Sequence, residues 1–570
     1  MNQQMDSNIR HRIGVIQGAT NQGVDDCGGL GNVWSPDLKF DGRVSPIDPE
    51  MSKLKLQTTI QRIRSDLVQD IDQLLQEKLE AILNETDDVK THQETDSPQN
   101  QFPRRDHLAV KEFKARESVL TDLFGNRHIQ TIYNIFVALM IVFSLNTLVY
   151  DLLVHGRIMV NFNIISWAFG NLPGVLWIWG IMQLYTMVIV FSLFQYWANE
   201  RHKTMHLPDV VWLCFYILLQ LVFFIFPIHA VVHNQLPPAS SIIILAEQAR
   251  LMMKSHAFVR ENIPRAIAWK PHSDADLTRR AALQQLTEET TLRNGEIKPE
   301  LAEIEGPCPD FSKYLYFLFA PTLVYREHYP RTSKIHWNVV RTNLVQVLAC
   351  LFFTYYVFVR FCVPVFKNFG KEDLTFHNLT LASFSVMLPA TLVLVLGFFA
   401  ILHSWLNAFA EMMRFADRQF YKDWWNVKTY SNYYRTWNIV VHDWLFTYIY
   451  RDLQILGFSK FASMMAVFVI SAFIHEFILA VSLNFFYPVL FFMFGGVGVS
   501  FTFLPAKSSS QPWNVFVWVS LFIGSGVLMC LYSQEWFARI NCPRTIESYW
   551  DFFIPRSWTC NISSALGDSQ

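Results

Sequence analysis

The sequence has no Cys-x-x-Cys pair among its eight cysteines, no His or Cys run with zinc-ligand spacing, no Gly-x-Ser-x-Gly elbow and almost no net charge. The first two absences leave no indication of metal chemistry. The third disfavours a serine lipase, and a formal charge of -1 gives no electrostatic basis for nucleic-acid binding. Charged residues are scarce, at 17% of 570, whereas 51% are hydrophobic and 15% aromatic, a balance on the membrane side of the globular range. Also missing is an apolar stretch behind the opening MNQQMDSNIRHR. No cleavable signal peptide is therefore expected, and the first true span should direct insertion.

What is present is a series of apolar runs of about twenty residues between Ile132 and Trp536, each long enough to cross a bilayer as a helix. Nine spans are expected, roughly at 131–154, 172–197, 209–233, 240–260, 339–364, 379–404, 461–483, 486–504 and 513–537. The fold class is thus all-α, a polytopic membrane domain over 106–541. Its fourth span carries Glu247, Arg250 and Lys254 at helical spacing, so that stripe must face protein or a watery cavity. Basic residues cluster before span 1 (Lys111, Lys114, Arg116), between spans 2 and 3 (Arg201, Lys203) and in the long loops after spans 4 and 6, which places those segments in the cytosol. An odd number of spans then puts the C-terminus in the lumen. Cys542 and Cys560 lie in the polar tail, 542–570, where a disulfide can form if the tail faces an oxidising lumen. Asn561-Ile562-Ser563 reads as a glycosylation acceptor.

Residues 1–52 are rich in Gly, Asn, Asp and Pro with little periodicity, a composition that predicts disorder. Over 53–84, Ile60, Ile63, Leu67, Ile71, Leu74, Leu75, Leu79 and Ile82 recur at helical spacing among charges. That pattern gives an amphipathic helix suited to self-association or to a surface, followed by a polar linker to residue 105.

Within span 7 the run AVFVISAFIHEFILAVSL holds one His and one Glu among apolar residues, and ionisable groups at that depth are costly unless they work or are paired. His475 is the candidate for chemistry; the plainer alternative is a buried histidine bonding a neighbouring helix. Ser471, four residues earlier, makes that face polar as a patch. Between spans 6 and 7, Phe420 to Trp444 is aromatic, polar and basic with no Pro or Gly. Its tryptophans Trp424, Trp425, Trp437 and Trp444 suit interfacial anchoring. On a continuous helix, however, Tyr434, Asn438 and His442 fall four apart beside Arg435, a set that an anchor does not need. Lys460 at the mouth of span 7 is fifteen residues before His475, or roughly 22 Å along a helix. That spacing permits coenzyme A phosphates at Lys460 and Arg435 with a thioester at His475. Phe319 to Arg326, FAPTLVYR, reads as a structural loop, and Gly495, Gly496 and Gly498 read as close helix packing.

These residues resemble those of the membrane-bound O-acyltransferases and, within them, the sterol O-acyltransferases, also called acyl-CoA:cholesterol acyltransferases. FYKDWWN is similar to the hallmark FYxDWWN at Phe420, Tyr421, Asp423, Trp424, Trp425 and Asn426. YSNYYRTWN, VVHDW, SAFIHE at 471–476, YSQEW at 532–536 and PRSWTC at 555–560 follow, and the likeness runs from about His128 to Cys560. Diacylglycerol acyltransferases share the FYxDWWN block and the His-Glu pair. The sterol branch is favoured by Ser431 to Thr436, His442-Asp443-Trp444, FAPTLVYR with Tyr329-Pro330-Arg331, and the paired tail cysteines.

The resemblance implies an endoplasmic reticulum membrane enzyme in which His475 is the catalytic histidine and Asn438 its partner. It implies acyl-CoA contacts at Asn432, Arg435, Asn438, His442, Tyr450, Lys460 and Ser471, a sterol contact at His128, and a lumenal Cys542–Cys560 disulfide. Acyl-CoA is a co-substrate and no cofactor is expected; the remaining partners are a sterol, membrane lipid and further copies of the chain in a dimer or tetramer. The activity so implied is transfer of a fatty acyl group to a sterol 3β-hydroxyl with His475 as general base. Its rivals are acylation of diacylglycerol on the same fold, and a transporter with Glu247, Arg250 and His475 along a pathway.

Overall fold

The computed structural model describes residues 111–157, 163–201, 207–269, 306–371, 375–504, 512–544 and 546–560. The chain divides into two units, Met1–Arg104 and Arg105–Gln570, and all described residues belong to the second. The expected disordered segment 1–52, the amphipathic helix at 53–84, its linker, Lys203 and Asn561-Ile562-Ser563 lie outside the described residues.

Fourteen helices organise the unit: α1 (Arg127–His155), α2 (Ile165–Glu200), α3 (Asp209–His233), α4 (Pro238–Ala268), α5 (Phe311–Phe319), α6 (Trp337–Phe366), α7 (Phe376–Ser385), α8 (Met387–Met412), α9 (Tyr430–Thr436), α10 (Ile439–Leu445), α11 (Arg451–Ile455), α12 (Lys460–Leu483), α13 (Val489–Thr502) and α14 (Pro512–Asn541). No strand occurs among the described residues, only two isolated bridges. Seven of the helices, α1, α2, α3, α6, α8, α12 and α14, are long and apolar enough to span a bilayer. They leave many Leu, Ile, Val and Phe side chains exposed, the surface that hydrocarbon requires.

The seven helices fall short of the nine expected spans for two physical reasons. α13 is apolar but only about 21 Å long at 1.5 Å per residue, against a hydrocarbon core of about 30 Å. α4 is long enough, but its charged stripe removes it from the apolar class. That stripe faces protein, as its spacing required. The Lys254 ammonium is 1% exposed and donates to the carbonyls of Phe317 (2.5 Å), Leu318 (3.0 Å) and Ala320 (2.7 Å). Phe317 and Leu318 carry carbonyls of the last turn of α5, and Ala320 at its C-cap also accepts from Thr322 N–H; a cation is favoured at such a helix end. Arg250 donates to Leu318 O and pairs with Glu247, which also accepts from Gln183 and Trp179.

The sixth expected span is broken. α7 and α8 meet at Val386, because Pro389 cannot donate and its ring crowds the carbonyl of Ser385. Gly526 of α14 fits under this junction. A Cβ there would lie 2.6 Å from Met387 Cγ and 2.7 Å from Ser383 O, so the close approach requires glycine.

Two polar segments lie against the helices. The stretch 111–118 forms a strap: Arg116 pairs with Asp417 (2.6 Å), Lys111 with Asp443 (2.7 Å), and Arg116 N–H donates to Ala416 O. The C-terminal tail is docked through Glu535, which is wholly buried and accepts from the backbone N–H groups of Arg556 (2.9 Å) and Ser557 (3.0 Å). Cys542 and Cys560 form the expected disulfide, S–S 2.04 Å. The YSQEW and PRSWTC segments are therefore two halves of one docking contact.

Candidate active site

The aromatic stretch before α12 is not the continuous helix that its lack of Pro and Gly suggested. It runs as a single turn at Trp424–Asn426, then α9, then α10, with Asn438 at the break between them. Asn438 has extended backbone (φ -139, ψ 91), and its Oδ1 accepts from Val441 N–H at 3.2 Å, capping α10. Tyr434, Asn438 and His442 thus do not share one helical face. A backbone N–H can only donate, so the cap settles which way the Asn438 amide points. Its NH2 end is left as a donor.

FYxDWWN frames this break. Phe420 O accepts from Ile439 N–H and Lys422 N–H donates to Thr436 O, each at 2.9 Å, bracketing Trp437 and Asn438 from both sides. Phe420, Tyr421 and Trp424 are buried, while Asp423 and Asn426 are exposed. Trp424 packs against Phe398, Trp437 and Trp518, with ring centroids 4.5–5.6 Å apart. Trp424 and Trp444 are core residues, not the interfacial anchors their type suggested.

The next residues of the set stack in a column. His442 lies 6.3 Å from Phe446 at an interplanar angle of 11°, and Phe446 lies 5.5 Å from Tyr450 at 14°. The last two rings stand on a π-helical segment, Phe446–Tyr450, a form frequent at functional sites. FAPTLVYR supports it from behind: Leu323, Val324 and Tyr325 are buried, and Tyr325 N–H donates to Tyr448 OH at 3.2 Å. The loop is structural, and it positions the segment that carries Tyr450.

α12 begins at Lys460, capped by Ser459, and carries Ser471 and His475. His475 differs from expectation in its surroundings. It is exposed at the helix surface, whereas its neighbour Glu476 is the buried member of the pair, 3% exposed. The His475 Nδ1 is 2.7 Å from Ser471 O. A carbonyl only accepts, so Nδ1 carries the hydrogen and the neutral ring presents Nε2 as a base. Ser471 therefore contributes its carbonyl to the histidine rather than its hydroxyl.

One face of the imidazole is covered by Phe494, 5.6 Å away at 27°. Phe494 belongs to the π-helical part of α13, Met493–Gly498, and was missed in the sequence because the surrounding glycines suggested only packing. The packing is real: a Cβ on Gly495 would meet Ala472 Cβ at 3.2 Å, and one on Gly498 would lie 2.0 Å from Tyr434 OH. Tyr434 also packs on Phe494 (5.0 Å) and donates to Phe494 O at 3.4 Å. α9, α12 and α13 therefore meet at Phe494, which His475 and Tyr434 both contact.

Arg435, Asn432 and Lys460 are exposed, and neither cation has a carboxylate partner among the described residues. Elsewhere in the unit, Lys111 pairs with Asp443, Arg260 with Asp452, Lys313 with Glu327 and Arg326 with Glu261. His128 lies in the first turn of α1, exposed, and no hydrogen bond, ion pair or ring contact joins it to this cluster among the described residues.

Seven helices are long and apolar enough to cross a membrane, one of them carrying His475, and the chain belongs to the membrane-bound O-acyltransferase family, whose sequence pattern matches residues 162–534. It is similar to Sterol O-acyltransferase 1 of Mus musculus, with 46% identity over 459 residues covering 79% of each chain. Sterol O-acyltransferase 1 of Cricetulus griseus is 47% identical over 457 residues, 79% of this chain and 78% of that protein. Sterol O-acyltransferase 2 of Rattus norvegicus is 40% identical over 456 residues, 79% of this chain and 81% of that protein.

Proposed function

We propose that the chain transfers a long-chain fatty acyl group from acyl-CoA to the 3β-hydroxyl of cholesterol or a related sterol, yielding a steryl ester and free CoA. Membership of the family and the identity to sterol O-acyltransferases support the reaction class and the acceptor. The observation that carries the mechanism is the hydrogen bond from His475 Nδ1 to Ser471 O, which makes Nε2 the proton acceptor.

In this reading the sterol oxygen attacks the thioester carbonyl as His475 Nε2 removes its proton. The C–O bond forms, the C–S bond breaks, and the proton held on the imidazolium passes to the departing thiolate. Asn438, with Oδ1 committed to Val441 N–H, offers its NH2 to the acyl oxygen as negative charge develops there. Arg435 and Lys460, without a carboxylate partner among the described residues, suit the phosphates of coenzyme A, and the His442–Phe446–Tyr450 column suits its flank. His128 is proposed as a sterol contact. The enzyme is placed in the endoplasmic reticulum with a lumenal tail, consistent with the Cys542–Cys560 disulfide, and as a dimer or tetramer.

His475→Ala, purified and assayed with labelled oleoyl-CoA and cholesterol, should lose about 10³-fold in turnover. Esterification retained by a folded variant would refute the assignment. Asn438→Ala should lose turnover while binding acyl-CoA nearly normally. Offering cholesterol and diacylglycerol in one vesicle tests the acceptor; preference for diacylglycerol would overturn the sterol reading.

A further inference from the structure

We infer that Glu476 and Tyr532 are positioning residues for His475, acting through the ring of Phe494. The inference rests on His475 being the base.

Glu476 follows His475 on α12 but points the other way, into the protein. Its Oε2 accepts from Phe491 N–H at 3.1 Å, and the Tyr532 hydroxyl of α14 lies 3.0 and 2.8 Å from its two carboxylate oxygens. That same hydroxyl accepts from Leu490 N–H at 3.1 Å. Leu490 and Phe491 are in the first turn of α13, where backbone N–H groups have no partner within the helix. The carboxylate and phenol supply those partners, so they fix where α13 starts. Three residues beyond Phe491, the same helix delivers Phe494 to the face of the imidazole.

The His475 side chain is otherwise exposed, and its two described restraints are the Nδ1 bond to Ser471 O and the Phe494 ring. The first fixes the tautomer and leaves the side chain bonded to its own helix. Only the second is supplied from another helix. Ring position is therefore set by α13, and α13 is set by Glu476 and Tyr532. An apolar pair could hold the helices together equally well; what carboxylate and phenol add is a directional seat for two particular N–H groups.

The test uses the full-length chain in lipid nanodiscs, with kcat and KM for oleoyl-CoA measured for Tyr532→Phe, Phe494→Leu, their combination and Glu476→Gln. Each single variant should lose about tenfold or more in kcat with KM held within about twofold, and the combination should be no slower than its slower parent. A wild-type kcat in folded Tyr532→Phe and Glu476→Gln, a rise in KM at unchanged kcat, or losses that multiply in the combination would overturn the inference. Where Tyr532→Phe melts early, Glu476→Gln, which keeps volume and one acceptor, gives the reading instead. His475→Ala in the same preparation separates the two levels. An active His475→Ala overturns both the base and its positioning, whereas a dead His475→Ala beside fully active clamp variants overturns the positioning alone.

Discussion

A single amide and a single imidazole show how much of this site is decided by what each polar atom is already bonded to. Asn438 has its oxygen held by Val441 N–H, and His475 has Nδ1 held by Ser471 O, so one is left as a donor and the other as an acceptor. An oxyanion and an alcohol proton call for that complementary pair. Gly498 makes the same point sterically, since a Cβ there would lie 2.0 Å from Tyr434 OH but 3.3 Å from its Cζ. Gly498→Ala should therefore reduce esterification about tenfold or more by displacing Tyr434. Adding Tyr434→Phe, which removes only the offending oxygen, should restore most of it. Failure of that rescue in the ester-forming assay would show that Gly498 is needed for something other than room.

His475 was legible in the sequence because an ionisable residue in an apolar run stands out by composition alone. Phe494 was not legible, because one phenylalanine among 49 carries no such signal until the fold places its ring on the imidazole. The helices themselves were largely legible, since runs of the right length and apolarity have few other solutions. Two readings at this scale failed for local reasons. The aromatic stretch has no breaker residue, yet it breaks at Asn438, whose side chain offers the backbone an alternative to helix. The sixth span looked continuous on hydropathy, which does not register Pro389 and the break it makes at Val386.

The strap was also invisible in the sequence, because its partners Asp417 and Asp443 lie some 300 residues away. Burial pushes the Asp443 carboxyl up, but the hydrogen bond with His442 and the Lys111 ammonium outweigh it and hold the group below the usual range. A depressed folded value means the contribution is present above the ordinary carboxylate pKa and lost as pH falls through the folded one. The difference in melting between the wild type and Asp443→Asn should shrink as the pH falls below about 4. A difference that instead grew on acidification would contradict this pairing.

At the scale of the whole molecule, the chain places its polar fastenings in separate regions. The strap ties residues 111–118 to the neighbourhood of α10, and the disulfide with Glu535, Arg539, Arg556 and Asp551 ties the tail to the end of α14. On the proposed topology the first faces the cytosol and the second the lumen. In sealed microsomes, a membrane-impermeant maleimide should label Cys542 and Cys560 only after both reduction and permeabilisation. Labelling without permeabilisation would invert the topology.

The three carbonyls around Lys254 also bear on how the protein is made. They belong to residues 63, 64 and 66 positions further along the chain, so when α4 leaves the ribosome its ammonium has no partner. At 5–20 residues per second the wait is about 3–13 s, and a lone charge in hydrocarbon is disfavoured for that interval. α4 is expected to enter the bilayer late, after α5 has emerged, and not in the order of translation. With a single cysteine introduced on α4, nascent chains truncated before Phe311 should leave it accessible to an aqueous thiol reagent, and chains extended past Ala320 should protect it. Lys254→Met should shorten the delay, leaving Arg250, which also waits for Leu318 O, as the remaining charge bonded to α5.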